Sequence, residues 1–525
     1  NVQIAKLMND HFINIKVDRE ERPDVDSVYM TFTQALTGQG GWPMTIFLTP
    51  ELKPFYAGTY YPPNDSHGRP GFPKLLNAIS TAWNNDQENI LDSANNITSQ
   101  MQKTVQKKLP TASIPLTSTS LSDRFEIFRN SYDETNGGFG NSPKFPSPTN
   151  LEFLLTYGSH KKNQDDPKSA TSMVLNTLKK MWSGGIYDHL AGGFSRYSVD
   201  EKWLIPHFEK MLYDNAQFIS LLSKYCLIDK KDYFLKKITH TIHFINTNFK
   251  NSENNLLGSA LDADSDGEEG KYYVFNFDEI KEIEAIDKYF EIKPEGNWEN
   301  KIILVEKEKP TGEILNKLLE LRSNRTKPFF DDKTQLDLNC LWVSSLVTAS
   351  EILPDNGYLK LAEEFFSKIE KKYINNKIHH SYSKNIAFIE DYAFLVNALN
   401  DLSDKTMNYK YKDLAKKIIV EALNKFYLDD KNIFQKNFKE NNDVFYKPID
   451  IGDNTIPNGN AIMLINLIRL GMMEEAKKLS ESLNGYLNIY KNHMMTSLRA
   501  IDFFNNVKNG KNCDEQGCYV DGKKN

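Results

Sequence analysis

The sequence is poor in cysteine and lacks long apolar runs. It contains only four cysteines, Cys226, Cys340, Cys513 and Cys518, too few for the disulfide framework that holds small secreted proteins together. No stretch of about 18 apolar residues is present, which excludes a helical membrane span. No charged and then apolar leader of the secretory kind opens the sequence. These absences predict a cytoplasmic protein.

An excess of charge of one sign is also missing. The chain has 64 Lys and Arg residues against 70 Asp and Glu, a formal charge of −6, and both signs are mixed along it. No basic arm is present, so neither nucleic acid nor an anionic membrane is expected as a partner. A chain of 525 residues is longer than one ordinary hydrophobic core supports, and two or more domains are predicted.

Residues 1–105 have the pattern of an α/β module, in the order helix, strand, helix, strand, strand, helix. These elements are predicted at residues 2–11, 12–17, 24–36, 45–48 and 55–60, and from Pro73 onward. Pro43 comes just before the second strand and cannot join a central ladder, so the Trp42–Pro43 bond is predicted to be cis. Residues 106–120, where Lys, Pro, Ser and Thr replace the aromatics, are predicted to form a linker.

Between residues 121 and 507 the sequence is mostly amphipathic helices of about three to six turns. They are predicted at residues 147–157, 167–182, 206–227, 233–249, 337–352, 358–373, 389–402, 411–426, 458–470, 474–483 and 491–505. So many helices with short connections predict stacked hairpins, in an α/α toroid or a helical solenoid. Because no fixed sequence period is seen, a closed toroid is favoured. Residues 508–525 remain as a C-terminal tail.

The segment 192–217 concentrates titratable and aromatic side chains where a turn leads into a helix. Among them are Arg196, Tyr197, Trp203, His207, Glu209, Lys210 and Asp214. Such a composition is what a ligand pocket requires, whereas a packing segment would be mostly aliphatic. A single helix over residues 206–227 would carry a polar stripe beside its apolar arc. This stripe consists of His207, Lys210, Asp214 and Gln217. The alternative is a solvated stripe that binds nothing.

Two histidines are candidates for proton transfer, since the imidazole pKa of about 6.5 lies near neutrality. His207 would be the general base and His189 its partner, and Arg196 between them would help to hold an anionic or sugar-like ligand. Alternatively, each histidine is a core or capping residue. Asn215 projects from the predicted apolar arc, so its amide must find hydrogen-bond partners there.

Residues 262–267 begin like a calcium-binding loop, with acids at the first, third and fifth positions and glycine at the sixth. The twelfth position, where a bidentate glutamate is required, is Tyr273. An acidic loop that leads into a short strand at residues 271–275 is therefore favoured over a calcium site.

Several carboxylates could supply a pair for acid–base or glycosidic chemistry if the fold brings two of them together. They are Asp262, Asp264, Glu269, Glu390, Asp391 and Asp453. The alternative for each is a helix cap or a bond to loop amides. The pair Cys513 and Cys518 lacks the further ligands of a metal site, and neither a metal nor a cofactor is predicted.

Several blocks of sequence, in order from residue 1 to about 518, resemble a known family. They are Val17-Asp-Arg-Glu-Glu-Arg-Pro-Asp24, Gly40-Gly-Trp-Pro43, Gly58-Thr-Tyr-Tyr-Pro-Pro63, Gly137-Gly-Phe-Gly140, Pro143-Lys-Phe-Pro146, the segment 192–217, Leu261-Asp-Ala-Asp-Ser265, Asp391-Tyr-Ala393 and Gly459-Asn460. Through them the chain is similar to the thioredoxin-domain-containing family typified by spermatogenesis-associated protein 20. The resemblance implies an N-terminal thioredoxin-like domain and an (α/α)6 toroid like those of six-hairpin glycosidases and sugar 2-epimerases.

The resemblance also implies a missing redox motif. The family's Cys-His-Trp-Cys motif would come shortly before Asn1, and a chain that starts with Asn rather than Met is expected to be cut after it. Thiol–disulfide exchange requires a low-pKa thiolate, so this domain is expected to be redox-silent. Pro43 would correspond to the cis-proline that faces the family's cysteines. Leu338, Cys340 and Glu390 depart from the family's usual residues.

Two functions follow as hypotheses. In the first, the toroid binds or modifies a sugar-like small molecule, in an epimerase-like or isomerase-like reaction. Its catalytic residues would be His207, His189, Arg196, Asp262 and Asp264. Its substrate-binding residues would be Tyr197, Trp203, Glu209, Lys210, Asp214, Glu269, Asp391 and Asn460. In the second, the toroid is a non-catalytic module that recognises a client, such as a thiol-containing protein. A scaffold without a site is the third alternative.

Overall fold

The computed structural model describes the chain except residues 67, 69, 107–117, 160–165, 167, 375–376, 383–385, 442, 488–489, 491–492, 509–511, 515–516, 521–522 and 525. The predicted linker at 106–120 therefore falls mostly outside the described residues. The chain forms two compact units, Asn1–Leu109 with Leu423–Asp450, and Pro110–Ala422 with Ile451–Asn525. None of the described helices combines the length and apolarity needed to cross a membrane.

The N-terminal unit is thioredoxin-like, with helices around an antiparallel strand pair. Its elements are α1 (Val2–His11), α2 (Pro23–Thr37), β1 (Thr45–Leu48), β2 (Pro54–Gly58), α3 (Phe72–Asn85) and α4 (Gln87–Gln106). Phe47 of β1 packs with Leu75 and Leu76 of α3 in its core. The Trp42–Pro43 bond is cis, as predicted.

Two sequence expectations for this unit differ from the structure. Residues 12–17 form no strand, and Ile13 is 94% exposed, because no neighbouring strand pairs with their backbone groups. Residues 423–450, which patterning places in the helical region, group instead with the N-terminal unit. They are held there by buried polar contacts, including one of 2.7 Å from Asn437 Nδ2 to Asp24 Oδ2. Such long-range contacts leave no trace in local periodicity.

The second unit is a toroid of helical hairpins. Its helices are α5 (Ser118–Ser131), α6 (Pro148–Ser159), α7 (Ala170–Ser183), α8 (Leu212–Ile228), α9 (Asp232–Asn248), α10 (Phe277–Ile280), α11 (Ile286–Tyr289), α12 (Gly312–Ser323), α13 (Leu336–Ile352), α14 (Tyr358–Ile369), α15 (Ile389–Thr406), α16 (Tyr409–Phe426), α17 (Gly459–Arg469), α18 (Met473–Leu487) and α19 (Met495–Lys508). The inner helices α6, α8, α13, α15, α17 and α19 pack each against the next, and α19 packs against α6. The ring is therefore closed, which confirms the predicted α/α toroid.

The inner helices are largely buried, because each is covered by neighbouring helices. In α13 every residue is buried except Thr348 and Glu351. A helix on the protein surface would instead expose one polar face to solvent. Between α9 and α13 the chain adds an insertion with its own small core, which includes Phe275, Ile286 and Phe290.

Short strands form corners of the toroid, the C-terminal end of the chain and, at residues 427–434, a strand pair of the N-terminal unit. They are β3 (Tyr197–Ser198), β4 (Pro206–His207), β5 (Lys210–Met211), β6 (Ala260–Leu261), β7 (Asp264–Ser265), β8 (Glu268–Glu269), β9 (Phe330–Asp331), β10 (Tyr427–Leu428), β11 (Ile433–Phe434), β12 (Asn512–Asp514), β13 (Gly517–Val520) and β14 (Lys523–Lys524). β3 pairs with β4, β5 with β6 and β7 with β8. The strand expected at residues 271–275 is not formed: residues 271–273 are in a turn, and Phe275 makes an isolated bridge with Ile302.

The predicted helix at 206–227 begins only at Leu212. Residues 206–207 pair with β3 and residues 210–211 pair with β6, so their backbone groups are satisfied by strands rather than by helical bonds. The polar stripe drawn from His207 to Gln217 is therefore wrong.

One corner of the toroid occurs twice, and its sequence also repeats. Residues 132–139 and 187–194 both read Tyr-Asp-x-x-x-Gly-Gly-Phe. In both, the tyrosine pairs with the phenylalanine and both glycines have positive φ, a conformation that a side chain would strain. Asp133 and Asp188 each accept backbone hydrogen bonds from the residues two and three positions later. The corner is thus repeated in both sequence and structure, although two copies do not make a fixed sequence period.

Candidate functional site

A cluster of partly exposed side chains surrounds His207 at the end of β4. The pairing of β3 with β4 places Tyr197 opposite His207, and their rings stack with centroids 5.0 Å apart. Phe145 packs on Tyr197 at 4.9 Å and is 54% exposed. Sequence analysis missed Phe145, because it lies far from this segment along the chain. The stacked rings form an aromatic surface beside the charged groups.

Four charged groups follow one another in this cluster. Arg196 Nη1 lies 2.8 Å from Glu209 Oε2, the same oxygen lies 3.6 Å from His207 Nε2, and His207 Nδ1 lies 2.7 Å from Glu269 Oε1. About a quarter of the His207 and Glu209 side chains is exposed, 27% and 25%. The imidazole therefore stands between two carboxylates and stays open to solvent.

The neighbours shift the pKa values in opposite directions. Glu209, and then Glu269, raise the pKa of His207 above its usual value. Burial works to raise the pKa of Glu209, but His207 and Arg196 outweigh it and hold that pKa below its usual value. These interactions therefore favour the charged imidazolium of His207 and the ionised form of Glu209.

Asp214 is the buried acid beside this cluster. Burial raises its pKa well above the usual value, although Arg196 opposes the shift. Its Oδ2 atom is buried and has no hydrogen-bond partner among the described residues. The carboxyl therefore favours its protonated form and has unused hydrogen-bonding capacity.

Glu269 reaches His207 from the acidic segment that resembled a calcium loop. Residues 264–265 and 268–269 form a two-residue hairpin, and its turn residues Asp266 and Gly267 both have positive φ, as an Asp-Gly turn of type I′ requires. Asp262 and Asp264 lie at exposed positions of this segment. The segment thus positions Glu269 rather than wrapping around an ion.

Three of the predicted site residues lie in the protein interior, away from the His207 cluster. His189 is buried with Nε2 3.0 Å from Gly184 O and Nδ1 3.4 Å from Glu306, and burial lowers its pKa. Trp203 is fully buried and donates to Asn136 O at 3.0 Å. Lys210 is buried as well, and its ammonium faces Asp188.

Lys210 has a structural counterpart in the first copy of the repeated corner. Its Nζ donates to Asp188 at 2.8 Å and to Gly192 O at 3.0 Å. In the same way, Lys144 Nζ donates to Asp133 at 2.7 Å and to Gly137 O at 2.9 Å. Each lysine thus binds the aspartate side chain and the carbonyl oxygen of the first glycine in its corner. Sequence analysis assigned Lys210 to the site because it lies in segment 192–217, but the structure gives it a structural role.

The side-chain amide of Asn215, which was predicted to lie on the apolar arc, has hydrogen-bond partners. Asn215 Oδ1 accepts from Phe194 N at 2.7 Å, and Nδ2 donates to Met211 O at 2.8 Å. Asn339 makes the matching bonds to Leu257 and Gln335 at the start of α13. Both amides fasten the start of an inner helix to the corner beside it.

Asp391 and Asn460 lie in the first turns of α15 and α17 and are buried. Among the described residues, one group of donors is close enough to hold a metal ion: Asp337, His380 and Asp391, with ligand atoms within 4.8 Å. His380 Nδ1 lies 2.8 Å from Asp391 Oδ1, and Asp391 Oδ2 accepts from a backbone N–H at 2.8 Å. These bonds hold His380 and Asp391 against each other, and Asp337 Oδ1 accepts from Leu338 N at 2.8 Å.

Stability is expected to fall between about pH 4 and pH 7 through Asp337. Burial raises its pKa to about 7, whereas the unfolded chain loses this proton near pH 3.9. The proton is therefore held more tightly in the folded state, and its contribution to stability is lost as the pH rises. Replacing Asp337 by Asn should flatten this part of the profile of melting temperature against pH. The exposed Asp278, replaced in the same way, should leave it unchanged, and an unaltered D337N profile would contradict the assignment.

Comparison with known proteins places these features in a family. A model described as Thioredox_DsbH, protein of unknown function (DUF255), matches residues 1–102. An uncharacterized protein of Caenorhabditis elegans is 31% identical over 92% of this chain and 74% of its own length. Spermatogenesis-associated protein 20 of Homo sapiens is 30% identical over 90% of this chain and 68% of its own length.

Among solved structures, cellobiose 2-epimerase from Bacillus thermoamylovorans is similar with a TM-score of 0.46 and 11% identity, over 71% of this chain and 87% of that protein. Both sequence relatives are at least 30% identical to this chain, and the matched regions span most of this chain and more than two thirds of each relative. This chain belongs to the family of spermatogenesis-associated protein 20.

Proposed function

We propose that the toroid binds a carbohydrate-like small molecule at the His207 cluster and moves a proton on it, as in the isomerisation of a reducing sugar. The observation that carries this proposal is the partly exposed imidazole held between Glu209 and Glu269 and stacked on Tyr197. A sugar presents both an apolar ring face and hydroxyl groups. An aromatic surface beside fixed charges suits such a ligand.

The protonation states set the roles in this reaction. The His207 imidazolium donates its proton to the carbonyl oxygen of the open-chain sugar, and the ionised Glu209 takes a proton from the neighbouring carbon. In the enediol that results, the hydroxyl group on the deprotonated carbon gives its proton to the neutral His207, and Glu209 returns its proton to the former carbonyl carbon. The carbonyl group has then moved by one carbon, and both residues regain their starting protonation. Sequence analysis assigned His207 as the base, but the raised pKa favours the acid role at the start of the cycle.

Arg196 and Asp214 support the same chemistry. Arg196 holds Glu209 in its ionised form through a contact of 2.8 Å. The protonated Asp214 has an unused oxygen and would bond a ligand hydroxyl. Both side chains lie beside the reacting pair rather than in it, so they position groups rather than transfer protons.

The alternative function is that of a recognition module without turnover. It is favoured by the thioredoxin-like match at residues 1–102, a domain type that acts on thiol-containing proteins. Cys226 and Cys340 are free and buried. In this alternative the His207 cluster would bind a ligand and leave it unchanged.

The test combines binding with solvent exchange. Reducing sugars such as D-mannose, D-glucose and cellobiose are screened by thermal shift, and those that stabilise the chain are incubated with it in deuterium oxide. Isomerisation places deuterium on the carbon beside the carbonyl. Methyl α-D-mannoside is the matched control, because it keeps the ring but cannot open to a carbonyl. Stabilisation without deuterium would favour the recognition module, and no stabilisation by any sugar would overturn the carbohydrate site.

A further inference from the structure

We infer that the interior of the ring is a second ligand site, which takes a zwitterion of the size of an amino acid or a dipeptide. A cavity of about 390 Å³ lies inside the ring and is lined by side chains from all six inner helices. No residue of the His207 cluster lines it. The inference therefore goes beyond the proposed function and does not depend on it.

One wall of this cavity carries an excess positive charge. Glu152 of α6 is shared by two cations, Lys224 of α8 and Arg499 of α19. The Arg499 Nη1 atom lies 2.8 Å from Glu152 Oε2. The Nε atom of Arg499 is buried and has no hydrogen-bond partner among the described residues. Among the residues that line the cavity, one carboxylate against two cations makes this wall formally positive.

Another wall carries an excess negative charge. Arg469 of α17 lies 2.7 Å from Asp401 and 2.8 Å from Asp404, both on α15. One cation against two carboxylates makes this wall formally negative. Lys405 and Glu351 also line the cavity and lie 3.8 Å apart, so they add no net charge.

The order of helices in the ring sets these walls opposite each other. The positive wall belongs to α19, α6 and α8, which are consecutive in the ring, and the negative wall belongs to α15 and α17. Neutral polar side chains also line the cavity, among them Gln217, Ser220, Ser344 and Asn397. The cavity as a whole is therefore neutral but strongly polarised.

This polarisation is costly unless something is bound by it. The side chains of Arg469, Asp401, Arg499 and Glu152 are at most 18% exposed. Burying such charges brings a desolvation penalty, and an apolar filling at these positions would be at least as stable. A zwitterion matches both walls, with its carboxylate toward Arg499 and its ammonium toward Asp404. A simple anion or cation would satisfy one wall and be repelled by the other. A neutral sugar would leave both walls without a charged partner.

The test uses the full chain and four probes in titration calorimetry. L-alanine and L-alanyl-L-alanine are zwitterions, whereas N-acetyl-L-alanyl-L-alanine lacks the ammonium and L-alanyl-L-alanine amide lacks the carboxylate. At least one zwitterion should bind, and the blocked peptides should bind about tenfold more weakly or worse, since each loses a charge-assisted hydrogen bond. Failure of both zwitterions to bind, or equal binding of the blocked peptides, would overturn the inference.

Two variants locate the site. D404N should weaken zwitterion binding and reduce the discrimination against the N-acetyl peptide; Asp404 is 64% exposed, so this change leaves the fold intact. R499Q should reduce the discrimination against the amide in the same way. K477Q changes an exposed charge on the outer helix α18 and should have no effect. H207Q separates the two proposals: retained zwitterion binding agrees with the ring interior, whereas its loss would move the ligand to the His207 cluster and overturn the inference.

Discussion

The D188N variant is expected to destabilise the toroid by about 3–5 kcal/mol, the usual consequence of breaking a buried ion pair. Asp188 is the shared counter-ion of Lys210 at 2.8 Å and Arg322 at 2.9 Å. These two cations are 1% and 2% exposed. An amide cannot compensate two buried positive charges, so the loss exceeds that of one hydrogen bond. Urea unfolding at neutral pH, followed by circular dichroism, measures the change.

The repeated corner provides a matched control for this variant. Asp133 occupies the equivalent position, but its side chain is 21% exposed and it pairs with the single cation Lys144. D133N should therefore cost clearly less than D188N, and D278N at an exposed acid should cost almost nothing. If D133N and D188N were equally destabilising, the shared counter-ion would not be the cause.

The H207Q variant is expected to lower sugar isomerisation by about 10²–10⁴-fold, the usual contribution of general acid–base catalysis. Glutamine keeps a polar side chain of similar reach beside Glu209 and Glu269 but carries no proton to donate. The side chain is partly exposed, so the melting temperature should change little. H243Q, at an exposed position of α9, is the matched control and should keep full activity. Unchanged turnover in H207Q would remove His207 from the reaction.

The pH profile separates a proton donor from a structural histidine. A reaction that needs the imidazolium is fast below the pKa of His207 in the folded protein and slows as the pH rises through it. Glu269 helps to raise that pKa, so E269Q should lower it and move the alkaline limb of the profile to lower pH. A limb that does not move in E269Q would contradict the donor role.

Local patterning was sufficient for most of the long helices but missed α5 and α12. It works because burial of an amphipathic or fully apolar face gives a period of 3.6 residues. The predicted helix at residues 337–352 matches α13, Leu336–Ile352. Local patterning failed at residues 206–211. These residues have a helical pattern but pair with strands that are distant in sequence. Pairing of this kind depends on residues 197–198 and 260–261, and no local window contains them.

The sequence by itself determined that this chain builds a ring of helical hairpins and that segment 192–217 holds an unusual density of charged groups. The tertiary structure alone decided which of these groups meet. His207 meets Glu269 because the hairpin at 264–269 brings that acid to it, while Lys210, three positions later, faces inward to Asp188. Side chains in strands alternate between faces and their partners come from elsewhere in the chain. The spacing of residues in the sequence can therefore suggest which side chains belong to a site. Which charged groups contact each side chain, and hence its protonation state, is decided only by the folded structure.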